Sequence, residues 1–189
     1  MKNNFFELVS EFIEATDTGV LLDQKSLDEL RTKLFDEEYN EFQEAWNKGE
    51  GVENVSDILD AVVDMFYIAE GSIYLMAGRD VVRQQVEKCK EVYEQVVDWL
   101  SSELTEAKVD DVKDLIYKCF IEVHLSNMRK LVPQVIDGET RYLPIINDGI
   151  INKNQPIGKI LKPNGWQPPN LEKVYEDWFV EVSNRYHYE

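Results

Sequence analysis

The stretch Ser56-Asp57-Ile58-Leu59-Asp60-Ala61-Val62-Val63-Asp64-Met65-Phe66-Tyr67 decides how this chain folds. Its apolar residues Ile58, Leu59, Val62, Val63, Phe66 and Tyr67 recur at three- and four-residue steps, the period of an α-helix. So broad an apolar stripe belongs to a helix buried on more than one side. Asp57, Asp60 and Asp64 interrupt it at i, i+3 and i+7, which places them on one face. Aspartate is a poor residue inside a helix, and three in the most apolar helix of the chain are costly unless something pairs with them.

Other helices surround this one. Upstream, Phe5, Leu8, Val9, Phe12 and Ile13 form a helical face that Thr18-Gly19 ends. Ser26, three residues before Glu29, reads as a capping box opening a second helix, with Leu27, Leu30, Leu34, Tyr39 and Phe42 as its stripe and Gly49 and Gly51 at its end. The quoted helix starts near Asn54 or Ser56 and Gly78 closes it. Downstream, Val82, Val86, Cys89, Tyr93, Val96 and Leu100 make a narrow seam after Asp80. A fifth helix starts near Asp110 and carries Val112, Leu115, Ile116, Cys119, Phe120 and Val123. No period repeats across these helices, so they predict a bundle and not a solenoid.

After Lys130 the composition changes, and all six prolines fall between Pro133 and Pro169. Val132–Ile136 and Tyr142–Ile146 read as short strands, with Asp137-Gly138 and Asp148-Gly149 as tight turns. Asn170 caps a last helix with Leu171, Val174, Tyr175, Trp178, Phe179 and Val182 apolar. The expected fold is all-α, a single domain over 1–189. It is a bundle of about five to six helices with a proline-rich loop or small hairpin insertion at 131–170.

A second group of acids, Asp36-Glu37-Glu38-Tyr39-Asn40-Glu41-Phe42-Gln43-Glu44, lies on the preceding helix. Like charges at i, i+3 and i, i+4 destabilise a helix by roughly 0.2–0.5 kcal/mol per pair, and no Lys or Arg relieves them here. Two consecutive helices offering carboxylates make an oxygen cage, and oxygen ligands without His or Cys favour Mg2+ or Mn2+. Such a cage suits phosphoryl chemistry, with cations for the distal phosphates. Asn127, Arg129, Lys130, Lys159 and Lys162 supply that polar and cationic set, and the 131–170 segment is expected to contact phosphate. The absence of a GxxxxGK[ST] loop excludes a P-loop NTPase.

Composition narrows the partners. The 37 acidic and 20 basic residues of the 189 give a net charge of −17, which lacks the positive field that nucleic-acid polymers and anionic membranes attract. Hydrophobic residues at 43 % are enough for a core. Cys89 and Cys119 are too few for a disulfide framework and are expected as free, mostly buried thiols. The N-terminal segment, broken by Glu7, Glu11 and Glu14, has no signal-peptide core, so a cytoplasmic protein is expected. His124 reads as a satisfied core histidine.

Glu37-Glu38-x-x-Glu41 followed by Asp57-x-x-Asp60 and Asp64 resembles the EExxE…[ED]xxD signature of the all-α nucleoside triphosphate pyrophosphohydrolases. This is the MazG-like group that includes dimeric dUTPases and phosphoribosyl-ATP pyrophosphohydrolase. Ser126-Asn127-Met128-Arg129-Lys130-Leu131 is similar to the SNMxKL element of a phage and bacterial branch. Gly158-Lys159-Ile160-Leu161-Lys162-Pro163 and Trp166-Gln167-Pro168-Pro169-Asn170-Leu171 resemble its GKxxK…PPxL tail. The resemblance covers roughly residues 5–70 and 120–175.

It implies Mg2+-dependent hydrolysis of a (deoxy)nucleoside triphosphate to the monophosphate and pyrophosphate, by a homodimer or homotetramer. It implies metal ligation by Glu38, Glu41 and Asp60, with Asp57 in the place of the family's glutamate and Asp64 as an added carboxylate. In the other register, with Asp64 last, that glutamate becomes Ala61. Glu37 and Glu38 take the catalytic place, Glu37 holding a second metal or positioning water. Asn127, Lys130, Lys159 and Lys162 meet phosphates, and Tyr67 or Trp166 stacks on the base or packs in the core. Two other classes stand beside this reading: a catalytically inactive, metal-stabilised nucleotide-binding protein, and an acidic interaction protein aimed at basic partners.

Overall fold

The structure is a computed structural model that describes residues 4–16, 22–48, 54–104 and 107–187. It contains α1 (Phe5–Thr16), α2 (Gln24–Asn47), α3 (Val55–Met76), α4 (Asp80–Glu103), α5 (Val109–Met128), β1 (Leu131–Ile136), β2 (Glu139–Ile146), β3 (Ile160–Leu161) and α6 (Leu171–His187). The expected all-α bundle is borne out. The Thr18-Gly19 stop and the Gly49 and Gly51 ends lie outside the described residues. No described helix is long and apolar enough to cross a membrane.

The central position of α3 follows from its composition. It packs against all five other helices, and Ile58, Leu59, Val62, Val63 and Met65 are completely buried. Burying each such side chain contributes roughly 1.5–3 kcal/mol before entropy is counted. Phe35 and Phe42 of α2, Val96 and Leu100 of α4, Leu115 and Phe120 of α5 and Trp178 of α6 complete the core. Both cysteines are free and buried. The start of α5 anchors α6: the Trp178 indole donates to the Asp111 carbonyl oxygen at 2.9 Å, and Arg185 and the Tyr186 hydroxyl donate to the Asp111 carboxylate at 2.6 and 2.9 Å.

Two local readings are corrected. The cap of α2 is Asp23, whose carboxylate accepts from the Ser26 N–H at 2.7 Å, so the helix begins two residues before Ser26. Aspartate caps as well as serine does, and the earlier cap adds most of a turn to the helix. On α4, Val86 is exposed and Gln85 is buried in its place, donating to the Arg31 carbonyl oxygen at 3.2 Å. Gly78, with φ +87°, closes α3 as read, and Asn170 accepts from the Lys173 N–H at the head of α6.

The two expected strands pair antiparallel from Leu131↔Pro144 to Ile136↔Glu139. Asp137 and Gly138 both have positive φ, 52° and 82°, as a type I′ turn demands. The short β3 was not read from the sequence. It pairs with β2 through Ile145↔Leu161 and Ile146↔Ile160, so the sheet order is β1-β2-β3. This pairing returns the segment around 158–162 to the face of the bundle where α2 and α3 meet.

Candidate active site

The acids on α2 and α3 converge because the two helices lie side by side with their stripes facing. Glu38 and Asp64 are half-buried at the wall of a cavity of about 570 Å³. Burial, and after it the charges of Asp64, Glu41, Glu37 and Asp60, push the Glu38 carboxyl well above the usual carboxylate range. Asp64 is raised in the same way by burial and by Asp60, with Lys130 and Lys162 opposing. Asp60 is raised by burial and by Glu41, again against Lys162. Glu41 is exposed yet close enough to act on all three carboxylates.

Asp57 does not join them. It faces outward, its carboxylate 3.7 Å from the Lys48 ammonium, and touches the group only through a weak charge effect on Asp60. The α3 carboxylates that face the site are therefore Asp60 and Asp64, one turn apart.

The donor chemistry fits a hard cation. Asp60 Oδ1 is buried and has no hydrogen-bond partner among the described residues, a state that costs energy unless filled. The assembled donors are carboxylate oxygens only, which suit Mg2+ or Mn2+. As they stand, no three acidic, His or Cys side chains close on one point among the described residues.

Cations approach from the C-terminal half. Lys130, just past α5, donates to Asn127 Oδ1, and burial lowers its pKa while Asp64 holds it up. Lys159 lies 3.1 Å from the Glu37 carboxylate. Lys130 and Lys162 stand over the Trp166 ring, 5.7 and 4.3 Å from its centroid, a cation–π arrangement. The indole donates to the Ser126 carbonyl oxygen at 3.0 Å, and the Ser126 hydroxyl donates to the Gln167 carbonyl oxygen at 3.1 Å. The Ser-Asn-Met element and the tail are thus pinned together. Arg129 points to Glu122 instead of the cluster.

Away from Glu38 and Asp64 the cavity walls are mostly apolar, with Phe12, Leu27, Leu30, Leu34 and Leu75, but Arg31 and Glu14 also line it. Tyr67 lines it. Its ring lies edge-on to Phe12, 5.7 Å between centroids, and its hydroxyl is 3.2 Å from His124 Nδ1. His124 is buried, as expected for a core histidine.

Two residues that sequence reasoning passed over shape the site. Asn147 is completely buried, and its amide donates to the carbonyl oxygens of Asn152, Gln155 and Pro156 at 2.7–3.1 Å. Its backbone bonds Gly158 and Lys159, so it fixes the loop that delivers Lys159. Its position before Asp148-Gly149 was the available signal. Arg31 was the other; nothing in its acidic surroundings sets it apart from a surface arginine.

Residues 4–88 match the family model described as phosphoribosyl-ATP pyrophosphohydrolase, and the resemblance carried by the motifs is borne out over that stretch. It spans α1, α2, α3 and the start of α4, so it contains all the clustered carboxylates but none of the three lysines. Such a match points to pyrophosphohydrolase activity on a nucleotide. Comparison with curated proteins and with solved structures gives no match.

Proposed function

We propose that the protein hydrolyses a (deoxy)nucleoside triphosphate to the monophosphate and pyrophosphate, using Mg2+ or Mn2+. The observation that carries this reading is a carboxylate cluster set against Lys130, Lys159 and Lys162 at one end of a nucleotide-sized, mostly apolar cavity. Glu38, Glu41, Asp60 and Asp64 would hold the ion, with Asp57 at the margin. Held there, a divalent ion would supply charge neutralisation for the phosphates and a more acidic water.

The chain's own groups do the rest. Glu38, held ionised by the charge of a bound ion, would take the proton of the attacking water. Glu37 orients that water, or a second ion, once Lys159 leaves it for a phosphate. Lys130, Lys159 and Lys162 neutralise charge on the departing pyrophosphate, and Asn127 donates to a phosphate oxygen. The apolar walls and Tyr67 take the base.

A homodimer or homotetramer is part of the same proposal. It is supported by apolar side chains left on the surface of the hairpin and the following loop, Val135 at 75 % and Ile150 at 80 % exposure. Sedimentation at two ionic strengths measures it; a monomer throughout would contradict it. The chemistry is tested by incubating the protein with each dNTP and Mg2+ and separating the products. The expected products are dNMP and pyrophosphate, and full activity retained in Glu41→Gln would remove the assigned cage.

A further inference from the structure

The cavity holds a second polar feature, away from the carboxylates. Arg31 precedes Glu38 by seven residues on α2, two turns away on the same face, or about 10 Å at 1.5 Å per residue. Its Nε donates to the Ser72 hydroxyl at 3.0 Å and its Nη2 to the Ile68 carbonyl oxygen. Among the described residues, Nη1 makes no hydrogen bond and no carboxylate pairs with the guanidinium. Burial alone perturbs it, downward, and it stays charged at neutral pH. Gly71 makes room for it: a Cβ there would stand 2.6 Å from Nη2. The walls around it are Ile13, Leu27, Leu30, Leu34, Ile68 and Leu75.

A half-buried guanidinium without a counter-charge is costly. Among the described residues, no carboxylate of this strongly acidic chain stands against it. The unused donor therefore waits for an acceptor on the ligand. A phosphate would call for more than one cation and a polar surround. A planar ring between apolar walls, with one ring oxygen toward Nη1, fits what is there.

We propose that Arg31 reads the base, donating a hydrogen bond to a ring carbonyl oxygen, so that the substrate carries uracil, thymine, cytosine or guanine in preference to adenine. This rests on the nucleotide reading above and sharpens it. The guanidinium has donors only. Uracil, thymine, cytosine and guanine present carbonyl acceptors, whereas adenine has an amino donor in the place of the guanine carbonyl.

The experiment has two arms. In the first, kcat/KM with Mg2+ is measured for dUTP, dTTP, dCTP, dGTP and dATP on the wild type, Arg31→Lys and Arg31→Met. In the second, melting temperature is followed without metal as each deoxynucleoside monophosphate, or inorganic phosphate, is added. The expected result is at least one carbonyl-bearing base preferred over adenine by about ten- to a hundred-fold, the scale of one charge-assisted hydrogen bond. The ratio should collapse toward unity in Arg31→Met and survive in part in Arg31→Lys.

Equal or better use of dATP, an unchanged ratio in Arg31→Met, or loss of inorganic phosphate binding in that variant overturns the proposal. If no dNTP is hydrolysed, the hydrolase reading fails alone. The second arm still decides Arg31: Arg31-dependent stabilisation by carbonyl-bearing monophosphates upholds it, and its absence overturns it. If Arg31→Met does not fold, Gly71→Ala crowds the guanidinium and is expected to lower the same ratio; an unchanged ratio there overturns the proposal.

Discussion

A carboxylate buried among other carboxylates is unstable until a cation joins it, and Asp64 shows the conflict most clearly. It is packed into the wall of α3, with Glu38 and Asp60 as near neighbours of the same sign. Asp64→Asn removes one charge from that crowd at almost constant volume. The variant is expected to melt about 2–4 °C higher without metal, the equivalent of about 1 kcal/mol in a chain of this size, and to lose hydrolysis. A lower metal-free melting temperature would mean that the carboxylates are not in conflict. Lys159→Ala is expected to raise KM about ten- to a hundred-fold with kcat less affected, since one charge-assisted phosphate contact is lost. Steady-state kinetics on the preferred dNTP measures it.

At this scale much was legible. Aspartates in so apolar a helix announce their own cost, which is why Asp60 and Asp64 could be singled out. The outward turn of Asp57 could not be read, because i and i+3 share a face only approximately and its partner Lys48 belongs to the end of another helix. Arg31 was invisible for a related reason: its meaning depends on which face of α2 meets α3.

Among the elements, the loop between β2 and β3 has the clearest dependence on one side chain. Asn147 closes it with its amide, and β3 then sets Lys159 and Lys162 beside α2 and α3. Gly158, at φ +88°, lets the loop press against Leu22 and Leu30, where a Cβ would come within 3.0 Å and 3.1 Å. Asn147→Ala leaves the half-buried carbonyl oxygens of Asn152, Gln155 and Pro156 without that donor. It is expected to cost about 1–3 kcal/mol and to raise KM by displacing Lys159. Thermal melting and kinetics on one preparation check both; unchanged KM with lowered stability would show that the loop does not serve the site. The helices and the hairpin were legible because each carries its own period, caps or turn residues. A two-residue strand has no period, so β3 emerged only from its pairing.

For the molecule as a whole, the net charge of −17 divides into a diffuse surface surplus and a focused group that responds to pH and metal. The folded-state pKa values of Glu38, Asp60 and Asp64 lie above their unfolded values. The folded protein therefore binds more protons than the unfolded chain between the ordinary carboxylate range, around pH 4, and those raised values. In that window stability falls as pH rises. Without metal, melting temperature is expected to be higher near pH 5 than near pH 8, and added Mg2+ is expected to restore the difference at pH 8. A metal-free melting temperature that rises over this interval would contradict the assignment.

The central claim is that these carboxylates and lysines together split a nucleoside triphosphate. It is tested most directly by separating the products of a dNTP panel incubated with Mg2+, for the wild type and Asp60→Asn. The account predicts dNMP and pyrophosphate in equal amounts from the wild type, none without a divalent ion, and loss of about a hundred-fold or more in Asp60→Asn. Orthophosphate in place of pyrophosphate, no turnover of any dNTP, or full activity in Asp60→Asn would contradict it.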